Sequence, residues 1–394
     1  MGVWRRTFCL ICLAVCLAFS ACACSDDNPR DAHGIGLIQN SPDPQFDFNT
    51  DDDNETEPEW GLWYGSWNEA NWSFEQVPTP ATISPRLALF AYGQEAIVSS
   101  RVINNQSGEQ IRALYLTTRG FDGSWNDRGE LDRTTAEATA TAALMTADNK
   151  LHLLYADDGL PRHLIVDGAG VHSYDPLPAP TPVEYSALAE APDGAVHAIF
   201  GDWDLSHQVF DGATWTELST FTYGLYPDIA FGPAGLGHLV YLTPRGLDDG
   251  YTLMYFLFID GQWIGGGILP ELQVFPTPHM SVDLFGRPHI LVPSSLGLLH
   301  LVRNNLAPSG WDYEVIAGNS WSAGFQYADI TMAGVIPVIA YRDAATAKGF
   351  AGRDATGGWI VDEFTGFDGG FIGIDLAVDA EADPRVVFAG WRGK

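Results

Sequence analysis

A short apolar strand, a glycine-containing turn and a second apolar strand recur along this chain, about one unit every 48 residues. Tyr185 opens YSALAEAPDGAVHAIFGDWD, Tyr226 opens YPDIAFGPAGLGHLVYLTPRG, His279 opens HMSVDLFGRPHILVPSS, and Tyr327 opens YADITMAGVIPVIAYRDA. A His often begins the second strand and an aromatic closes it. ATAALMTADNKLHLLYADDG and PRLALFAYGQEAIVSSRV fit the same template more loosely. One such unit cannot bury its own apolar face, so a chain built this way must stack its units against one another.

Each unit runs on into a third strand and a turn, then reaches Trp. The turns Asp122-Gly123, Asp167-Gly168, Asp211-Gly212 and Asp260-Gly261 are hairpin signals, because both residue types tolerate positive φ. Trp72, Trp125, Trp215, Trp263, Trp311 and Trp359 are separated by 53, 90, 48, 48 and 48 residues, with Val171 standing where one Trp is missing. The series therefore has seven marks. Four short strands per repeat with no helical period describe an all-β, seven-bladed β-propeller of four-stranded antiparallel blades. The last unit, GFIGIDLAVDAEADPRVVFAGWRGK, has only two strands, and WGLWYGSWNEANWSFEQV from Trp60 supplies two more. Pairing residues 60–78 with 366–394 is expected to complete one closing blade and leave no free sheet edge.

WD40 signatures are missing from their places, a Gly-Gly doublet of the kelch kind does not recur, and a parallel β-helix has shorter repeats. The repeat resembles secreted bacterial propeller units with the running pattern SLAxDxxGxPHIxYxD…L…DGxxW, loosely sialidase-like (BNR-type) and common in large-genome, lipoprotein-rich bacteria. The resemblance covers nearly all of residues 60–394, but its motifs mark a scaffold. No faithful SxDxGxxW box is present.

The N-terminal stretch reads as a secretory signal: Arg5 and Arg6 precede a short apolar run from Thr7 to Ala18, then small residues. All five cysteines, Cys9, Cys12, Cys16, Cys22 and Cys24, lie here. FSAC resembles a bacterial lipobox with Cys22 as the lipidated residue. Phe19 departs from the usual Leu, Cys24 is a rival, and a plain signal peptide is the alternative. Residues 1–21 are thus expected to be a lipoprotein signal, giving an extracytoplasmic protein lipid-anchored to a membrane, the outer membrane on either side. Residues 22–59 read as an acidic, disordered tether, since the stretch is too poor in apolar residues to offset chain entropy. Its Asp47, Asn49, Asp51 and Asp53 alternate as in calcium loops, but Asp52 and Pro58 stand where Gly and Glu are required.

The formal charge of −30 repels phosphate backbones and disfavours nucleic acid as a partner. His152, His197, His238 and His289 sit at equivalent places in successive repeats. They read as inter-blade packing that satisfies turn backbone, not as metal ligands. The Trp series and Tyr155, Phe200, Tyr241, Tyr341 and Phe388 read as core. Trp203 and Trp321 fall outside that series and are better ligand candidates.

The second-to-third-strand loops carry Asp157, Asp158, Asp202, Asp204, Asp248, Asp249 and Asp343, an acidic rim on the face where propellers usually bind ligands. Tyr185, Tyr226, His279 and Tyr327 are expected nearer the axis. Such a rim suits a polyhydroxylated ligand or a divalent cation such as calcium, although Asp is also simply a good turn residue. No cofactor is implied, and neither HExxH, GxSxG nor a phosphate loop occurs. Arg86, Arg119, Arg245 and Arg342 lie in plausible stretches for binding an anionic substrate, without a sialidase motif around them. The reading is a binding module for an envelope protein or glycan. The alternatives are a glycan-active hydrolase or lyase working through the rim, and a purely structural envelope subunit.

Overall fold

A computed structural model describes residues 59–67, 71–79, 83–90, 93–104, 110–134, 141–157, 159–168, 170–174, 177, 183–245, 250–269, 272–307, 309–318, 327–342, 349–353, 357–362, 364, 367 and 370–392. Every regular element among them is a β-strand, and no helix is long and apolar enough to cross a membrane.

Strands β1 (Glu59–Trp67) and β2 (Trp72–Val77) come first, followed by a sheet of β3 (Ile83–Leu89), β4 (Glu95–Asn104), β5 (Gln110–Arg119) and β6 (Trp125–Thr134). The next sheet holds β7 (Thr141–Met145), β8 (Leu151–Asp157), β9 (Leu160–Asp167) and β10 (Gly170–Tyr174). A six-stranded sheet follows: β11 (Tyr185–Glu190), β12 (Val196–Phe210), β13 (Trp215–Phe231), β14 (Gly237–Pro244), β15 (Tyr251–Ile259) and β16 (Gln262–Ile268). Two more four-stranded sheets contain β17 (His279–Val282), β18 (Pro288–Ser294), β19 (Gly297–Arg303) and β20 (Trp311–Gly318), then β21 (Ala328–Ala333), β22 (Ile336–Tyr341), β23 (Gly349–Arg353) and β24 (Trp359–Asp362). Finally β25 (Gly370–Val378) and β26 (Pro384–Arg392) join the first two strands in the order β2-β1-β26-β25.

All pairing is antiparallel, and β1 pairs with β26 from Glu59↔Arg392 to Ser66↔Arg385. The first strands of the units touch in succession, β3 to β7, β11, β13, β17, β21 and β25, and β25 touches β3. Antiparallel sheets arranged radially in this way form a β-propeller.

The long strands of the six-stranded sheet bend sharply. His197 and His207 are ten positions apart, which is about 33 Å along a straight strand, yet their rings bond at 2.9 Å. Strand β12 therefore doubles back near Gly201–Asp204. Gly201 permits the turn: its φ is +151°, and a Cβ there would lie 2.0 Å from the Asp204 carbonyl oxygen.

The inter-sheet packing explains the recurring histidines. His152 and His163 bond through Nδ1 and Nε2 at 3.1 Å, and His289 and His300 do the same at 2.9 Å. The indole of the next unit completes each set: Trp215 Nε1 donates to His163 Nδ1, Trp263 Nε1 donates to His207 Nδ1, and Trp359 packs edge-on against His300. In the fourth set Tyr255 replaces the second imidazole, bonding to His238 and packing against Trp311. The histidines thus pack between sheets as expected, and they bond to each other and to Tyr255. Burial drives His152, His197 and His238 down to about 4, and His163 and His207 to about 3. All five are neutral at pH 7.

The Asp-Gly turns also differ from expectation in one respect. Asp260 and Gly261 both have positive φ (50° and 78°). At Asp122-Gly123 and Asp211-Gly212 only the glycine does, and the Asp carboxylate instead accepts backbone N–H bonds from Ser124, and from Ala213 and Thr214.

Candidate ligand-binding site

One register position recurs in every first strand. It is Arg86↔Val98, Ala142↔Leu154, Ala187↔Ile199, Asp228↔Val240, His279↔Leu291, Asp329↔Ala340 and Asp375↔Val387. His279 therefore stands level with Asp228 and Asp329, not with Tyr226 and Tyr327 as its place in the repeat suggests. The turn before β17 shifts the apparent alignment by two residues.

Three carboxyls in this belt each reach across to the following unit. Asp228 accepts from Met280 N at 2.7 Å, Asp329 from Leu376 N at 2.7 Å, and Asp375 from Leu87 N at 2.6 Å. Each donor is the residue just after the belt position next door. His279 Nδ1 lies 4.0 Å from Asp228 Oδ2 and 3.5 Å from Asp329 Oδ1. Asp228 and His279 keep 25% and 28% of their side-chain surface open, although protein encloses them closely.

Burial dominates the electrostatics here. It raises Asp228 to about 7, against the pull of the Met280 and Ile229 N–H groups and Arg86. Burial first, and then Asp375, push Asp329 well above the carboxylate range, and Asp329 hydrogen-bonds Asp375 as the protonated partner. His279 falls to about 4 through burial and Arg86. Burial disfavours the charged form of the imidazole as it does of the carboxyls, so His279 is neutral at pH 7. The His279–Asp329 contact is therefore polar and not an ion pair.

A second group of polar and aromatic residues surrounds the hairpin tip of β12. Tyr185 Oη donates to Glu184 Oε1 at 2.9 Å. The Tyr185 and Tyr226 rings lie 4.4 Å apart, with Tyr251 6.4 Å from Tyr226. Asp202 is raised to about 6 by burial and by its hydrogen-bonded neighbour Glu184. Trp203 and Tyr223 sit at a β-bulge, where Trp203↔Gly224 is followed by Asp204↔Thr222. Both are exposed, 45% and 53%, and both have positive φ, 60° and 59°. A left-handed backbone costs roughly 1–2 kcal/mol at a residue with a Cβ, and such strain gathers where function needs a fixed side chain.

The structure brings together Tyr185, Asp202, Trp203 and Tyr226 from the expected set, and Asp204 is exposed beside them. Asp157 is taken up by Arg162 at 3.3 Å within its own hairpin. Tyr327 packs on the buried cluster of Trp63, Phe364 and Phe388. Asp158, Asp248, Asp249, Asp343, Trp321, Cys22 and Cys24 lie outside the described residues. Sequence reasoning missed Glu184, Tyr223, Asp228, Asp329 and Asp375. The recurring D-I/L pairs in YPDIA, YADIT and GIDLA were the available signal for the belt. Among the described residues no group of three His, Cys, Asp or Glu side chains could hold a metal ion.

No protein-family profile matches the chain, and no curated protein sequence matches it. Among solved structures it is similar to a protein from Lactobacillus plantarum, with 13% identity over 77% of this chain and 96% of that one and a TM-score of 0.52. That is a likeness of fold. It also aligns with a lectin from Aleuria aurantia bound to Fucalpha1-6GlcNAc (11% identity, 72% and 96% covered, TM-score 0.45). An alpha-L-arabinanase from Penicillium chrysogenum complexed with arabinobiose aligns similarly (14% identity, 72% and 94% covered, TM-score 0.45). Similarity this low carries no chemistry over to the chain.

Proposed function

We propose that the chain is a glycan-binding module whose ligand stacks on Trp203 and Tyr223 and hydrogen-bonds to Asp202, Glu184 and Tyr185. The carrying observation is a pair of exposed aromatic residues, held at strained backbone positions, next in the chain and the sheet to the interacting carboxyls Asp202 and Glu184. Ligand sites combine apolar faces with a few fixed polar groups in this way. The chain carries −30, so neutral or amine-bearing sugars fit better than acidic ones.

The hydrolase reading is weaker here. Asp228 has the raised pKa of a general acid, but backbone N–H groups occupy both oxygens, Met280 of the next unit on Oδ2 and Ile229 of its own strand on Oδ1.

We further propose that the propeller has seven blades and closes through β1 and β2 pairing with β26 and β25. Counting β12 and β13 as two strands each divides the six-stranded sheet into two blades, and the β1–β26 register supports the closure. The anchor remains a proposal from sequence: lipid on Cys22 or Cys24, residues 22–59 as a spacer, and an extracytoplasmic location. A glycan array probed with the wild-type protein and Trp203→Ala tests the binding reading. Hits that Trp203→Ala abolishes are expected, and a blank array argues for a protein partner on that face. Replacing Cys22 and Cys24 separately and measuring membrane partition tests the anchor.

A further inference from the structure

The opposite face, where the first and second strands of each unit meet, holds an internally controlled contrast. Six of its turns share one hydrogen-bonding pattern, in which residue i donates to residue i+4 and residue i+3 donates to residue i; besides one that begins at Phe90, five more recur around the ring. They begin at Thr146, Ala191, Gly232, Asp283 and Asp379. The two tip residues are Ala147-Asp148, Pro192-Asp193 and Ala380-Glu381 in three of them, the polar choice a solvated turn favours. In the turn from Asp283 they are Leu284 and Phe285, exposed by 67% and 76%.

The same backbone geometry therefore carries an acidic tip residue at Asp148, Asp193 and Glu381, Pro233-Ala234 in the turn from Gly232, and large exposed apolar side chains in the turn from Asp283. Val335 and Ile336 in the next turn are 41% and 43% exposed, and Leu236 in the preceding turn is 37% exposed. The patch is continuous: Leu284 N bonds to Gly334 O at 3.3 Å. It borders an open depression of about 600 Å³ lined by Asp148, Glu190, Asp193, Phe231, Asp283 and Leu284. Clustered exposed apolar side chains of this kind mark interaction sites.

We infer that this turn face docks a protein segment that alternates lysine or arginine with bulky apolar side chains. The apolar tips take the bulky residues, and the carboxylates of Glu190 and Asp193 face the cations, Asp148 being paired with Lys150 at 2.6 Å. The −30 charge of the chain draws in a cationic segment and opposes a second copy of the chain or an anionic lipid surface. This surface is separate from the Trp203 site, so either reading can fail alone.

The test titrates a labelled synthetic peptide of alternating lysine and leucine into the full-length protein. The Leu284→Ser/Phe285→Ser double variant is expected to bind at least tenfold more weakly. Asp193→Lys, a charge reversal at a solvated turn, is expected to do the same. Leu160→Ser, which removes an equally exposed apolar residue in a second-to-third-strand hairpin, is expected to bind as wild type. Equal binding by all four proteins overturns the inference, because attraction to bulk charge would then explain it. So would a wild-type dimer, or co-sedimentation with phosphatidylcholine vesicles, that the double variant abolishes.

Discussion

Asp375 accepts a hydrogen bond from the backbone N–H of Leu87 at 2.6 Å, linking residues 288 positions apart in the chain. Asp228 makes the same bond to Met280, and Asp329 to Leu376, so one device joins neighbouring first strands wherever the belt position is Asp. Asp375→Ala leaves a buried donor unmatched, a loss of about 1–3 kcal/mol. Asp375→Asn keeps an acceptor oxygen and is expected to lose much less. Urea denaturation of the two variants measures the difference, and an Ala variant as stable as wild type contradicts the role.

The neutral histidines between sheets make the protein sensitive to acid. Their folded pKa values, about 4 for His152, His197 and His238 and about 3 for His163 and His207, lie below the unfolded value of 6.5. The unfolded chain then takes up protons that the folded one refuses. Their contribution to stability is complete above pH 6.5 and is lost as pH falls toward 4 and then 3. Urea midpoints measured at pH 7, 5.5 and 4 are expected to drop steadily, and a flat profile argues against buried neutral pairs.

Asp228 has the opposite sign. Its folded pKa of about 7 lies above the unfolded value near 3.8, so its contribution is complete below that value and is lost as pH rises through 7. Asp228→Asn retains an oxygen acceptor and cannot ionise. The variant is expected to be more stable than wild type at pH 8, with the gap closing or reversing at pH 5. The same urea series on both proteins reads this directly.

Gly201 controls the placement of Trp203. A Cβ there meets the Asp204 carbonyl oxygen at 2.0 Å, and backbone cannot swing aside as a flexible side chain can. Gly201→Ala is expected to cost more than about 2 kcal/mol and to remove ligand binding as well. Trp203→Ala leaves the hairpin intact and is expected to affect binding far more than the melting temperature.

The repeat, the strand-turn-strand units and the all-β propeller class were legible because backbone hydrogen bonding and apolar alternation write themselves into every unit. The Trp series likewise announced inter-sheet packing, although the imidazole partners His163, His207 and His300 were hidden because they lie on third strands with no fixed motif. The belt escaped notice for a different reason. Its position is filled by Arg, Ala, Asp and His in turn; the D-I/L pairs mark Asp228, Asp329 and Asp375, but strand register is needed to add Arg86 and His279 as equivalents. Trp203 stood out by breaking the periodicity. Tyr223 did not, because its exposure comes from a β-bulge that a linear pattern cannot show.

The most direct test of the account is a titration of neutral and acidic oligosaccharides into the wild-type protein and Trp203→Ala, followed by intrinsic tryptophan fluorescence and calorimetry. The expected result is saturable binding of a neutral or amine-bearing glycan, quenching of fluorescence, and loss of at least tenfold in affinity in Trp203→Ala at an unchanged melting temperature. Binding that survives Trp203→Ala intact, or a preference for acidic glycans, contradicts the assignment of this site.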